Sequence, residues 1–239
     1  MKNLVDLHTH SLFSNHAYSS VTENIDFAYE YGLKYYGISD HQPDKRHVGA
    51  SFDNLNNLIV LPKEYKGMKI FKGVEINAGP NFHEFINNKL INRLDYGIAS
   101  FHTYDYKAED SNYDKNTDYY LETLNYDFIK IIGHIDDGRF PCDYEKIIKA
   151  CSENRKLIEI NNSSVEERTP RLNSIENCIL AIKLCKKYSC PIILNSDAHI
   201  KYDIGNVDKA YELCMSLDFP DELIVNTNLE LFEKHFEIK

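Results

Sequence analysis

The chain has 239 residues and a formal charge of −10, from 27 Lys and Arg against 37 Asp and Glu. Hydrophobic residues make up 43%, enough for a sizeable core, and the length suits a single α/β domain over residues 1–239. This composition excludes a disordered or low-complexity chain, and the acidity argues against a non-specific nucleic-acid binder.

The first apolar run, residues 4–8, reads as a strand. A helix follows over 20–31: Ser20 and Glu23 have capping-box spacing, and Gly32 stands where a left-handed cap belongs. Strand-like runs then recur at 35–39, 69–76, 96–101, 128–133, 157–161 and 191–195. Helical patterns fall at 117–124, 144–154, 175–188 and 207–217, while the crossovers at 42–68 and 77–94 read as irregular. The closing segment reads as a short extended piece at 222–225 and a helix at 229–236. Seven strands alternating with crossovers imply parallel pairing and a closed or nearly closed barrel, with an open doubly wound sheet as the alternative. No G-x-G-x-x-G follows the first strand, so nothing supports a dinucleotide fold.

The six cysteines include no C-x-x-C pair and are expected to be buried free thiols in a reducing cytoplasm. No apolar run approaches the roughly 20 residues that span a bilayer. Residues 1–6 lack the basic-then-apolar order of a signal peptide, so a cytoplasmic, membrane-free protein is expected.

The strand ends carry the chemistry. Strand one ends in His8 and His10, strand two in Asp40-His41, strand four in His102, strand five in His134 and strand seven in Asp197 and His199. Strand three carries Glu75. In a parallel barrel these ends share one face, where active sites are built. A lone H-x-H arises by chance about 0.4 times in such a chain and carries little weight. Residues i and i+2 of a strand, however, point to the same side, so His8 with His10, and Asp197 with His199, are placed to chelate together. A metal cluster also removes the cost of ending apolar runs in buried ionisable groups. His47, His83 and His235 fall outside the pattern and read as surface residues.

Asp6-Leu7-His8-Thr9-His10-Ser11, Ile38-Ser39-Asp40-His41, Gly73-Val74-Glu75, Phe101-His102, Gly133-His134 and Ser196-Asp197-Ala198-His199 resemble the motif set of the PHP (polymerase and histidinol phosphatase) superfamily. Asn15-His16-Ala17-Tyr18-Ser19, Asp40-His41-Gln42-Pro43-Asp44 and Glu159-Ile160-Asn161-Asn162-Ser163-Ser164 resemble its YcdX-type phosphatases. The likeness runs nearly the whole chain, with Ile135 where the family usually has proline and an unusual Asp136–Arg139 loop.

The resemblance implies a distorted, TIM-like (β/α)7 barrel with a trinuclear site. One ion would be held by His8, His10, Glu75 and Asp197, a second by Glu75, His102 and His134, and a third by His16, His41 and His199. Such a nitrogen and oxygen set suits three divalent transition-metal ions, zinc foremost, with manganese or iron also fitting. The implied activity is metal-dependent hydrolysis of small phosphomonoesters by a metal-bound hydroxide. Glu75 and Asp197 would serve catalysis as ligands, Asp40 would orient His41, and Asp6 would either orient His8 or His10 or serve the strand structurally. Arg168 and Arg171, after strand six, are the candidates for phosphate, with Arg168 nearer the strand end. Arg46 and Arg139 are the next candidates. Asn161 and Asn162 are expected to face substrate. A histidinol phosphatase and a nuclease or 3′-phosphatase are the related alternatives, though no basic groove supports the latter. An amidohydrolase-type barrel would need a lysine on strand four, where this chain has His102, and a metal-storage protein would not need so open a set of ligands. A homo-oligomer is compatible with all of these.

Overall fold

The computed structural model describes residues 2–44 and 46–238. Its strands are β1 (Val5–Asp6), β2 (Tyr35–Ile38), β3 (Met68–Asn77), β4 (Tyr96–Ser100), β5 (Ile129–Ile132), β6 (Leu157–Asn161) and β7 (Ile192–Asn195). Each pairs in parallel with the next in the chain. A parallel bridge between Thr9 and Ala198 joins the ends of β1 and β7, with His10 N–H donating to Ala198 O at 2.8 Å. The result is the expected nearly closed (β/α)7 barrel.

Strands covered on both faces read as unbroken apolar runs, and all four positions of β2, β7 and all five of β4 and β6 are buried. α1 (Val21–Tyr31) starts at the Ser20–Glu23 capping box and ends at Gly32, whose φ of 97° is the left-handed cap. The crossover at 42–68 is more ordered than the sequence suggests. It holds α2 (Phe52–Asn57) and a two-residue arm, Glu64–Tyr65, antiparallel to the start of β3. The next crossover holds α3 (Phe82–Ile86). α4 (Tyr113–Thr123) begins ahead of residue 117 because the Asn112 side chain accepts from the Lys115 N–H and caps it there.

Further along lie α5 (Tyr144–Glu153), a single turn α6 (Asn162–Val165), α7 (Ser174–Tyr188), α8 (Asp208–Ser216) and α9 (Leu229–His235). The expected extended piece at 222–225 is instead a 3-10 turn, Asp221–Leu223, followed by one bridge from Ile224 to Ile192. All six cysteines are buried and unpaired. His235 is only partly exposed, with Nδ1 3.1 Å from Arg155 O. No helix among the described residues is long and apolar enough to cross a membrane.

The amino end of the barrel is filled by Val5, Leu7, Tyr96, Ile98, Ile131, Leu157 and Ile193, closed beneath by Phe232 of α9. Tyr96 sets this layer: a Cβ at Gly37 or Gly73 would come within 2.3 Å of its side chain, so both glycines make room for the ring. Alternation along the strands then turns a polar set into the carboxyl end. Glu75 lies two residues beyond Gly73, Glu159 two beyond Leu157 and Asn195 two beyond Ile193.

Candidate metal centre

Beyond Asp6 the chain leaves regular pairing and carries His8 and His10 into the barrel mouth, where both are fully buried. Glu75 stands at the centre. Its Oε2 is 3.3 Å from His8 Nε2 and 2.7 Å from His41 Nδ1; its Oε1 is 3.1 Å from His102 Nε2 and 2.8 Å from His134 Nε2. Asp197 Oδ1 lies 3.2 Å from His10 Nε2 and 3.5 Å from His8 Nε2. At the rim, His199 Nε2 and His16 Nε2 are 2.8 Å apart, and His16 stacks 5.1 Å from His41. All nine side chains singled out in the sequence thus meet in one place.

The grouping is tighter than three separate sets. Ligand atoms within 4.8 Å of one another occur in His8, His10 and Glu75, in His10, His41 and His199, and in His41, Glu75 and His102. His41 therefore faces the Glu75 centre as closely as the rim.

The donors fit a metal by a direct physical criterion. Among the described residues, His8 Nε2, His10 Nε2, His41 Nδ1 and Glu75 Oε2 are buried without a hydrogen-bonding partner, the short His41–Glu75 approach being poorly aligned for one. Four such buried atoms converging on one point are costly unless a cation shares them. Burial, with His199 and His41 beside it, holds the His10 imidazole well below its ordinary pKa. Burial and the same kind of neighbours, His41 and His199, lower His16 to about 4. Both rings are thus neutral near pH 7, with lone pairs free to ligate. Burial would raise the Glu75 carboxyl, but His102, His8 and His41 outweigh it and hold it well below the usual range. Burial likewise opposes Asp197, and His8, His10 and Arg171 together keep it ionised.

Around these lies a layer the sequence conveyed only in part. Glu159, in sequence only one member of a motif, is fully buried and touches four groups. Its Oε1 accepts from His8 Nδ1 at 2.7 Å and Asn195 Nδ2 at 2.8 Å; its Oε2 accepts from His134 N at 2.8 Å and Asn161 Nδ2 at 3.1 Å. The first bond orients the His8 ring with Nε2 toward Glu75; burial disfavours its charge, but Glu159, Glu75 and Asp197 outweigh it and raise the imidazole well above its ordinary pKa, so Nε2 would give up its proton on taking a cation. The third holds His134 at a φ of 23°, a left-handed setting it shares with Asp197 at 54°. Glu159→Gln is expected to weaken metal affinity about 10–100-fold. A metal titration checks it, and wild-type affinity in the variant would remove Glu159 from this role.

Several expectations need correcting. Asp40 does not orient the His41 ring. Its carboxylate takes Ser11 N and Oγ at 2.7 Å and Ser14 Oγ at 2.7 Å, and Ser14 Oγ in turn lies 3.1 Å from His10 Nδ1. Its action is on the loop after β1. Asp6 touches neither imidazole, binding instead Ser196 Oγ at 2.6 Å and Gly205 N at 2.8 Å. Asn161 and Asn162 are engaged within the protein and are not among the described residues that line the cleft. Asn161 Nδ2 donates to Asp197 Oδ2 at 3.1 Å while its Oδ1 caps α6, and Asn162 Oδ1 accepts from Ala210 N at 3.0 Å. Both amides are buried because the chain turns into α6 immediately at the strand end.

The centre opens into a cleft of about 410 Å³ whose walls include His16, His41, His102, Tyr104, Arg139 and Arg171. Arg168 also lines it, but is 46% exposed and paired with Glu166 at 2.6 Å and Asp203 at 2.9 Å. Arg171 is 9% exposed, with Nη2 2.8 Å from Asp197 Oδ2 and Nη1 donating to Ser164 Oγ at 2.6 Å. Arg139 is clamped by Asp137, and Arg46 is not among the described lining residues. His47 and His83 lie outside, His83 being exposed and 2.6 Å from Glu122.

Known proteins resemble this chain along its length. A probable phosphatase of Acetivibrio thermocellus is 36% identical over all of this chain and 97% of its own. A probable phosphatase of Clostridium novyi is 37% identical over 95% of this chain and 92% of its own. The structure of a histidinol phosphate phosphatase from Lactococcus lactis, complexed with zinc, L-histidinol and phosphate, superposes with a TM-score of 0.62. It covers 91% of this chain and 95% of that one at 19% identity, a likeness of fold. The PHP domain model matches residues 6–169, which include His8 to His134 of the cluster, and on these matches the chain belongs to the PHP domain family.

Proposed function

We propose that this protein is a metal-dependent phosphatase that hydrolyses small phosphomonoesters. The observation that carries the reading is the convergence of seven imidazoles and two carboxylates on a cleft that also holds Arg171. The relatives named probable phosphatase point to the same chemistry. His8, His10, Glu75 and Asp197 would hold one ion, Glu75, His102 and His134 a second, and His16, His41 and His199 a third. Imidazole and carboxylate donors favour zinc, with manganese or iron as alternatives, over magnesium or calcium.

When bound, such ions polarise phosphate oxygens and make a coordinated water acidic near neutral pH. The chain's own residues do the rest. Glu75 and Asp197 supply a charge of −2 against +6 for three divalent ions, so the mouth carries about +4 and attracts a phosphate dianion despite the acidic surface. Glu159 and Ser14 hold His8 and His10 in place. Arg171 offers guanidinium hydrogens toward the cleft while steadying Asp197. The small, open cleft suits a metabolite-sized ester, and histidinol phosphate is one member of that class to assay.

The test is a screen of metal-replete protein over phosphorylated metabolites and short DNA ends, with elemental analysis alongside. Phosphate release from small esters, abolished by chelator, with about three ions per chain, is the expected result. Finding at most one tightly held ion, with no gain on reconstitution, would count against the trinuclear reading. Activity only on DNA ends would favour the nuclease alternative.

A further inference from the structure

Two residues that line the cleft carry hydroxyls with no hydrogen-bonding partner among the described residues. Tyr104, in the loop after β4, stacks on His102 with ring centroids 4.9 Å apart and planes 19° from parallel. It meets His41 edge-on at 5.5 Å. Thr169 lies in the loop after α6, between Arg168 and Arg171. Both residues line the cleft. Tyr104 Oη and Thr169 Oγ1 are each buried and, among the described residues, without a hydrogen-bonding partner. Ser163, another hydroxyl of the same wall, donates to Ser196 O at 2.9 Å and is accounted for.

A buried hydroxyl with no partner is destabilising, whereas Phe would give the same stacking on His102 without that cost. The missing partner is therefore best sought in what the cleft binds. An occupant bearing several oxygen acceptors satisfies both hydroxyls at once, and a phosphoryl group has them. Tyr104 comes from the loop after β4 and Thr169 from the loop that carries the arginines, so the two approach from different elements.

We infer that Tyr104 and Thr169 are substrate-contacting residues whose hydroxyls donate hydrogen bonds to oxygens of the phosphoryl group held at the metal centre. The inference rests on the phosphatase reading above. Neutral donors of this kind add directional contacts to the charge attraction of the ions and Arg171. They would discriminate a tetrahedral oxyanion from a planar carboxylate, which offers fewer acceptors.

Tyr104→Phe and Thr169→Val test it, with direct titration of inorganic phosphate into metal-loaded protein as the main readout. Each is expected to weaken phosphate binding about 10- to 100-fold, as for a hydrogen bond to a charged group, with metal content unchanged. The thermal midpoint of metal-free Tyr104→Phe should equal or exceed that of wild type, because a partnerless hydroxyl has been removed. Normal phosphate binding in both variants, or a lower midpoint for Tyr104→Phe, would overturn the inference. Wild-type protein that binds no phosphate at all would overturn the phosphatase reading itself, and the inference with it. Because binding is measured without turnover, the two failures are distinguishable.

Discussion

Glu75→Gln is expected to lower kcat/KM roughly 10²- to 10⁴-fold and to reduce metal content while the barrel remains folded. Losing one preorganised electrostatic contact costs about 10²–10³ in rate, and reduced metal occupancy extends the loss toward the upper end. Glu75 is the carboxylate that reaches His8 and His41 with one oxygen and His102 and His134 with the other. An amide keeps the shape but supplies one oxygen and no charge, so it could not hold cations on both sides as the carboxylate would. The fold is expected to survive because β3 is held by its neighbours β2 and β4 along most of its length, independently of this side chain. Elemental analysis, steady-state kinetics and a circular dichroism melt on the same preparation check all three parts. Full metal content with normal turnover would take Glu75 out of the site.

The same position illustrates what a sequence can convey. Glu75 is conspicuous because it interrupts the apolar run of β3 near its end, and a charge there needs a partner. His8 with His10 and Asp197 with His199 were legible through their i, i+2 spacing. Glu159 obeys the same logic, standing between Ile158 and Ile160 in a fully buried strand, although the polar residues beyond it are the more conspicuous. Its signal was present: an acid inside an apolar run, two residues after the inward-facing Leu157. Asn161 and Asn162 misled because strand-end amides look available, whereas α6 starts at once and consumes them as a cap and a brace.

The fold shows a similar division. The parallel strands were readable because burial on both faces writes continuous apolar runs. α2 and α3 were missed because helices of six and five residues are too short for a helical period to stand out. The Glu64–Tyr65 arm was missed because two residues carry no alternation. Nor does any local pattern report which inward-facing side chains of different strands meet. That depends on register, here the pairing of Glu75 with Ile98 and of Glu159 with Ile193.

Burial and ion pairing favour Arg171 over Arg168, the arginine that chain distance suggests. By distance along the chain Arg168 is the nearer to its strand end, but its guanidinium is half exposed and already paired with Glu166 and Asp203. Arg171 is buried against Asp197, one of the proposed ligands, and lines the cleft. A charged donor aimed at a phosphoryl oxygen contributes about 2–4 kcal/mol when the contact strengthens in the transition state, or roughly 30- to 1,000-fold in kcat/KM. Arg171→Ala is therefore expected to fall in that range, and Arg168→Ala by less than about threefold, as for an exposed ion pair. Because Arg171 also holds Asp197 Oδ2, its alanine variant should lose some metal affinity, which a pure substrate contact would not. Arg171→Lys separates the two roles: it keeps the charge beside Asp197 but loses the planar fork that grips two oxygens. Its metal affinity should recover further than its kcat/KM. A large loss in Arg168→Ala with Arg171→Ala unaffected would return phosphate recognition to the exposed arginine.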